Sequence, residues 1–133
     1  MNLGCGFDTL YWNLHADNEL PKHGFYELDM RPVTERKAII IKNKKGLLEK
    51  LLNPRFEGAE CVSESYRLLS CDLNNISEVR RKLFDSGADS SIPTLFIAEC
   101  VFVYMPHKST EALFSFVASE FQAAMFVDYD PIR

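Results

Sequence analysis

The chain has 133 residues, enough for one domain with a hydrophobic core and too few for two. Hydrophobic residues make up 47% and charged residues 26%, as in ordinary globular proteins, and a net charge of -4 argues against a nucleic-acid-binding face. The sequence shows neither a signal peptide nor an apolar run long enough to cross a bilayer, so we expect no secretion and no membrane insertion.

The spacing of the cysteines indicates the redox compartment in which the protein is located. The four cysteines show no CxxC pair and no neighbouring histidine. We therefore expect neither a metal site nor a disulfide framework, and a reducing cytoplasm is the simplest location. Cys71 and Cys100 fall within apolar runs, where we expect each thiol to pack as a small hydrophobic group.

The opening MNLGCGFDTLYW predicts the end of a strand, a turn through Gly4 and Gly6, and a helix over 8–15 with Asp8 as its N-cap. Either glycine can adopt a positive φ, and the missing Cβ atoms leave room for a ligand. The free N–H groups of the helix point back at the turn, which favours a polar or anionic group there.

A second strand over 25–28 ends at Asp29, about 25 residues after Gly4. Nucleotide-binding α/β folds place a ribose-binding carboxylate at a spacing of about 20 residues. Only two of the three glycines of the dinucleotide fingerprint are present, which counts against NAD. A cofactor with a ribose but no pyrophosphate, such as S-adenosylmethionine, fits better, and a βαβ turn with no ligand is the alternative.

The rest of the chain continues the alternation of strands and helices. We predict helices over 31–42, 76–86 and 109–121, and strands over 66–71, 93–98 and 123–129. Strand 93–98 is almost wholly apolar, so we expect it to be buried on both faces. Segment 43–64 has no clear pattern beyond leucines at helical spacing, which predict a short amphipathic turn.

This alternation predicts one α/β domain over 1–133, with a doubly wound, mostly parallel sheet. Ligands of such sheets bind at the carboxyl ends of the strands, near the switch in strand order. Polar or glycine residues follow four predicted strands at that end: Gly4 and Gly6, Asp29, Asp72, and Glu99. We therefore expect these residues to share one site.

Four segments resemble the leucine carboxyl methyltransferase family: NLGCGFDTLYW, FYELDMRPVTERKAIII, LLSCDLNN, and IPTLFIAECVFVYMPHKSTEALFSFVASEFQAAMFVDYD. The resemblance covers nearly the whole chain and is weakest over 43–65. It implies the Rossmann-like core of a class I methyltransferase, here without the helices that precede the glycine turn and without the last strands of the family.

The resemblance also implies an activity and a partner. It implies an S-adenosylmethionine-dependent enzyme that forms a methyl ester on the C-terminal leucine of the type 2A protein phosphatase catalytic subunit. The AEC–VYM motif is more similar to this branch than to its sister branch, which methylates a carboxyl group on a tRNA wybutosine precursor. Three alternatives remain. The chain could methylate the tRNA precursor, it could be an inactive fragment of the enzyme, or it could be a non-catalytic module that binds the phosphatase.

Site roles follow from the resemblance, residue by residue. It implies the following contacts: the backbone around Gly4 and Gly6 with the methionine part of the cofactor, Asp29 with the ribose hydroxyls, Asp72 and Leu73 with adenine, and Glu99 with the amino end. Methyl transfer to a carboxylate needs no general base, because the acceptor is already ionised at pH 7. We therefore assign no catalytic side chain and expect alignment and water exclusion to drive the reaction.

Each acidic assignment has a structural rival. Asp29 could instead cap the helix that begins near Pro32, and Asp72 could cap the helix over 76–86. Glu99 is costly to bury unpaired, so we expect it to face a cationic group or water. Tyr104 either borders the methyl-transfer site or packs in the core.

Overall fold

A seven-stranded sheet organises the protein, and the computed structural model describes residues 1–131 of it. Residues 132–133 of the predicted domain 1–133 lie outside the described part. The strands are β1 (Asn2–Leu3), β2 (Phe25–Asp29), β3 (Arg55–Glu57), β4 (Glu60–Val62), β5 (Tyr66–Ser70), β6 (Thr94–Glu99) and β7 (Ala124–Tyr129). The helices are α1 (Leu10–Ala16), α2 (Arg31–Asn43), α3 (Lys45–Leu48), α4 (Ile76–Asp85) and α5 (His107–Glu120), with a 3₁₀ turn at Phe102–Tyr104.

The strand order is β3-β4-β5-β2-β1-β6-β7. Pairs β1–β2, β1–β6, β2–β5 and β6–β7 are parallel, whereas β3–β4 and β4–β5 are antiparallel. The prediction of a mostly parallel α/β sheet is confirmed. The chain builds outward from β1 on one side and then returns to β6 on the other, so the switch in strand order lies at β1.

Successive side chains of each strand point to opposite faces of the sheet, and an apolar cluster lies on each face. One cluster lies under α4 and α5 and includes Leu28, Leu83 and Leu113, while the other lies under α1 and α2 and includes Phe25 and Ile41. Pro32 sits in the first turn of α2, where it removes no helical hydrogen bond. Among residues 1–131, no helix has the length and apolar character that crossing a bilayer requires.

The hairpin β3–β4 is absent from the sequence-based prediction, which places only a helical turn in 43–64. The helical turn is present as α3, and the hairpin follows it, with Gly58 in its turn at a φ of 57°. Each hairpin strand has three residues, and β4 pairs with β5 through Cys61 and Leu68. Strands this short carry too few residues for a recognisable period-2 pattern.

The prediction that β6 is buried on both faces is wrong. Phe96 and Ala98 are buried in the cluster under α4 and α5, but Leu95 on the opposite face is 44% exposed. Within residues 1–131, the cluster under α1 and α2 contains no side chain of β6, so that face of the strand stays open.

Strand β7 lies at the edge of the sheet beside β6. Its side chains Met125, Val127 and Tyr129 are exposed, although all three are large and apolar or aromatic. The described part of the chain therefore presents an apolar strand edge, a feature that favours association with other strands.

Candidate functional site

A cavity of about 290 Å³ opens at the carboxyl ends of β1, β2, β5 and β6. Of the residues for which the sequence suggested a site role, five line it: Gly4, Asp29, Asp72, Leu73 and Tyr104. Site residues at or after the ends of four strands thus meet in one cleft, at the switch in strand order where doubly wound sheets bind ligands.

Gly6 and Glu99 are not among the described residues that line this cavity. Gly6 is linked to it through a hydrogen bond to Asp29, and Glu99 directly precedes the lining residue Cys100. Glu99 is exposed at the end of β6, so it faces water, one of the two environments expected for it.

Both glycines of the first turn have a positive φ, 64° at Gly4 and 52° at Gly6, as predicted. The N–H of Gly4 donates to the Leu28 carbonyl at 2.8 Å, which binds the turn to β2. A Cβ at Gly4 would lie 2.6 Å from Cγ2 of Val101, whereas a Cβ at Gly6 would meet nothing within 4 Å. The absence of a side chain at Gly4 therefore leaves room for Val101 to pack against the turn, whereas Gly6 faces open space.

Asp29 connects the end of β2 to the glycine turn. Its Oδ2 accepts a hydrogen bond from the Gly6 N–H at 2.7 Å, and its Oδ1 accepts one from the Met30 N–H at 2.7 Å. The N-cap of α2 is Met30, without a side-chain cap bond, so Asp29 does not cap that helix. Its carboxylate keeps lone pairs for further donors, since two oxygens offer about four acceptor positions.

Asp72 follows β5 and folds back on the next residues. Its Oδ1 accepts hydrogen bonds from the backbone N–H and the side-chain amide of Asn74, at 2.9 and 2.8 Å. The capping role proposed as the alternative belongs instead to Asn75, whose side chain accepts a bond from the Glu78 N–H at 3.2 Å. Leu73 is buried in the core and also lines the cavity.

Asp8 does not cap α1 as predicted. The N-cap is Thr9, which makes no side-chain cap bond. Asp8 accepts hydrogen bonds from the Leu10 N–H at 3.1 Å and from the Asn2 side-chain amide at 2.8 Å. The Asn2 bond ties the glycine turn back to β1, while the Leu10 bond satisfies one of the free N–H groups at the start of α1.

Tyr104 and Cys100 lie on the loop that follows β6. Tyr104 is 82% exposed at the cavity rim, so the alternative of a packed core tyrosine is wrong. The 3₁₀ turn that carries Tyr104 is held by the Val103 N–H, which donates to Oδ2 of Asp130 at 3.0 Å.

Cys100 has a φ of 54° and is exposed, which corrects the expectation that its thiol packs as a small hydrophobic group. A positive φ is uncommon for a residue with a side chain, and such strain clusters at functional sites. The turn takes the chain out of the sheet at this residue, so the apolar run before it did not indicate burial. Cys71, by contrast, is buried as predicted, and burial raises the pKa of its thiol to about 12.

A buried charged cluster lies beneath the glycine turn and was missed from the sequence. Glu27 of β2 is 0% exposed and Lys37 of α2 is 4% exposed, and Nζ of Lys37 lies 2.6 Å from Oε2 of Glu27. The hydroxyl of Tyr66 donates to the same oxygen at 2.5 Å. Burial raises the pKa of the Glu27 carboxyl, and the Lys37 ammonium opposes that rise.

The same ammonium also donates to the backbone carbonyl of Asp8 at 2.7 Å. Tyr66 has a pKa well above its usual range, first because it is buried and then because of the charge of Glu27. No local pattern marks Glu27 within β2, since its partners come from α2 and β5.

The cavity offers hydrogen-bond acceptors and negative charge, which suit hydroxyl, amino or cationic groups of a ligand. The carboxylates of Asp29, at the end of β2, and Asp72, after β5, lie on its wall with the apolar side chain of Leu73, and no lysine or arginine within residues 1–131 lines it. This set of groups fits a ligand with a ribose, an adenine ring and a positive charge. The volume is near the lower limit of about 300 Å³ for small-molecule sites, which suits the adenosine part of such a ligand.

The chain is similar to known proteins along its whole length. A family model described as "Leucine carboxyl methyltransferase" matches residues 1–118. The whole chain aligns at 37% identity with 41% of the length of a probable leucine carboxyl methyltransferase 1 from Caenorhabditis briggsae. It aligns at 34% identity with 42% of leucine carboxyl methyltransferase 1 from Bos taurus, and at 34% with 20% of tRNA wybutosine-synthesizing protein 4 from Homo sapiens. The chain thus spans about two fifths of the length of these two leucine carboxyl methyltransferases.

Proposed function

The chain belongs to the leucine carboxyl methyltransferase family, and from that premise we propose that it is the cofactor-binding core of an S-adenosylmethionine-dependent protein carboxyl methyltransferase. The acceptor we propose is the C-terminal leucine carboxylate of the type 2A protein phosphatase catalytic subunit. The observation that carries the proposal is the common cavity at the switch in strand order, lined by Gly4, Asp29, Asp72 and Leu73.

We assign individual contacts with the cofactor to the acidic residues and to Leu73. Asp29 would accept hydrogen bonds from the two ribose hydroxyls, while the Gly6 N–H orients its carboxylate. Asp72 would accept a hydrogen bond from the adenine amino group, and Leu73 would pack against the adenine ring. Glu99 would face the amino end of the cofactor from the end of β6, next to the lining residue Cys100, where it is exposed.

The proposed reaction relies on position. The cofactor supplies a methyl group activated by its bond to a positively charged sulfur, and the acceptor carboxylate is ionised at pH 7. The chain's part is to hold the cofactor by the glycine turn and the acidic residues, and to exclude water at the rim where Tyr104 lies. No proton has to move, so no general base is assigned.

A binding experiment tests this proposal directly. Calorimetric titration of the chain with S-adenosylhomocysteine should show micromolar binding, and Asp29→Ala should weaken it at least about tenfold through the loss of charge-assisted hydrogen bonds. The matched control is Asp85→Ala, which removes the same charge from an exposed position on α4. Absence of binding by the wild-type chain, or equal weakening by both variants, would refute the proposed function.

The acceptor needs its own test. The chain should transfer a labelled methyl group to a peptide that ends in a leucine carboxylate and not to the same peptide with an amidated end. Base treatment should then release the label as methanol, because a methyl ester hydrolyses there. Label on an amidated peptide would contradict transfer to the carboxylate.

A second candidate is carboxyl methylation of a tRNA wybutosine precursor. The observation that favours it is the alignment of the whole chain with tRNA wybutosine-synthesizing protein 4 from Homo sapiens at 34% identity. The net charge of -4 weighs against it, since proteins that bind nucleic acid usually carry clustered positive charge. Transfer of label to tRNA and not to the leucine-ended peptide would decide for this candidate.

We also propose a cytoplasmic location. All four cysteines are free, and three of them are buried, which suits a reducing compartment. Fractionation of cells that produce the protein should recover it with cytoplasmic markers, and recovery with secreted proteins would contradict this location.

A further inference from the structure

We propose that Lys37 is a positioning residue for the cofactor turn: its buried ammonium holds the Asp8 carbonyl and so fixes the backbone over 4–8 in the form that receives the cofactor. This inference rests on the proposed function, because it concerns the same site. Lys37 does not line the cavity, and it would act through the turn alone.

The geometry connects three separate parts of the chain. Lys37 extends from α2, and its Nζ lies 2.6 Å from Oε2 of Glu27 on β2 and 2.7 Å from the carbonyl oxygen of Asp8 in the turn. Glu27 is itself held by the Tyr66 hydroxyl from β5. The ammonium is therefore fixed relative to the sheet, and it transmits that position to the end of the turn.

The site itself also holds the turn. Oδ2 of Asp29 accepts the Gly6 N–H at 2.7 Å, in addition to the bonds from the Gly4 N–H to Leu28 and from the Asn2 amide to the Asp8 side chain. Asp29 is a proposed ligand of the cofactor, whereas Lys37, which holds the Asp8 backbone carbonyl, does not line the cavity. Loss of Lys37 leaves the Asp29 contact in place but frees the carbonyl two residues later.

Stability alone does not account for this cluster. Charges buried as fully as Glu27 and Lys37 lose their hydration, and replacing such a pair by packed apolar groups is often neutral or stabilising. Oε1 of Glu27 is also buried without a hydrogen-bond partner in the described structure. A fixed geometry at the glycine turn is a benefit that apolar side chains would not supply, since they cannot donate to a carbonyl.

Amide hydrogen exchange of the unliganded chain tests the inference without a cofactor. In Lys37→Met, the amides of the glycine turn should exchange about tenfold faster, as expected for the loss of one charge-assisted hydrogen bond, while β6 and β7 keep their protection. Glu27→Gln/Lys37→Met is the second variant: it removes both charges, so it leaves no uncompensated buried carboxylate, and it should show the same local effect.

The matched control is Leu113→Ala, which removes a buried side chain of α5 in the cluster on the other face of the sheet. It should destabilise the protein without a turn-specific rise in exchange. With S-adenosylhomocysteine as the probe, both Lys37 variants should raise Kd about tenfold, and Leu113→Ala less than about twofold.

The outcomes separate the two proposals. If the wild-type chain does not bind S-adenosylhomocysteine, the proposed function fails, and the exchange data still decide whether Lys37 orders the turn. If both Lys37 variants raise exchange uniformly over the chain, or leave the turn as protected as in the wild type, the positioning role is refuted. Equal Kd values for wild type and both variants would likewise refute it.

Discussion

The contact between Gly4 and Val101 gives the sharpest test of how the first turn meets the loop after β6. We consider Gly4→Ala, with Gly6→Ala as the matched control. Both glycines have a positive φ, 64° and 52°, so the backbone strain of the two substitutions should be similar. Only the Cβ at Gly4 meets a neighbour, Cγ2 of Val101 at 2.6 Å.

The magnitudes follow from these two terms. An alanine in the left-handed region costs about 1–2 kcal/mol, and the reduced entropy of the unfolded chain returns about 0.4–1 kcal/mol. Gly6→Ala should therefore lower the free energy of unfolding by about 1 kcal/mol. Gly4→Ala adds an overpacking cost of about 1–3 kcal/mol, because Val101 must move. The total for Gly4→Ala is about 2–4 kcal/mol.

Urea unfolding measures the difference. With an m-value of about 2 kcal/mol/M, Gly4→Ala should lower the midpoint by about 1–2 M and Gly6→Ala by about 0.5 M. In a Val101→Ala background the clash is removed, so Gly4→Ala should then cost only about 1 kcal/mol, the strain that it shares with Gly6→Ala. Equal costs for the two glycines, or no relief from Val101→Ala, would show that this contact does not constrain the turn.

Three further predictions concern other contacts. At pH 8 a maleimide should label Cys100 alone in the folded chain, because the other three thiols are buried. Burial raises the pKa of Cys61 and Cys71 to about 12, so only about one part in ten thousand of each is ionised. S-adenosylhomocysteine should slow the labelling of Cys100, and labelling of all four cysteines at one rate would contradict this prediction. Asn75→Ala should lower the free energy of unfolding by about 1 kcal/mol through loss of the α4 cap, while Asn75→Asp, which preserves a capping oxygen, should cost little in the same urea assay. Tyr66→Phe should cost about 1–3 kcal/mol by removing a donor from the buried Glu27 carboxylate, and Tyr104→Phe at the exposed rim should be neutral by thermal unfolding; equal effects would count against the buried network.

Apart from the hairpin β3–β4, the alternation of strands and helices and the approximate ends of the strands could be predicted from the sequence. Periodic apolar residues define α4 and α5, and the polar residues that follow β2 and β5 fall at one edge because parallel strands end there together. Asp29 and Asp72 could therefore be assigned to one site from the sequence alone. Their hydrogen bonds could not be predicted, since those depend on which neighbouring N–H groups the turns expose.

What the sequence did not reveal depends on distant partners. Glu27 interrupts the apolar residues of β2, and nothing near it indicates that Lys37, ten residues later on α2, would neutralise it in the core. The exposed face of β6 was missed for the same reason, because burial depends on which helices cover the strand. Local patterns predict elements well, whereas contacts between elements need the topology.

The open edge at β7 has a practical consequence for every measurement proposed above. Within residues 1–131, β7 pairs with β6 alone, so the N–H and C=O groups on its outer side, beside the exposed Met125 and Tyr129, would allow two molecules to extend one sheet across both chains. Dimerisation would then add to the apparent resistance to urea, by an amount that depends on how much protein is in the cuvette. Titrations and unfolding curves should be repeated over a tenfold range of dilution, so that free energies refer to the single chain.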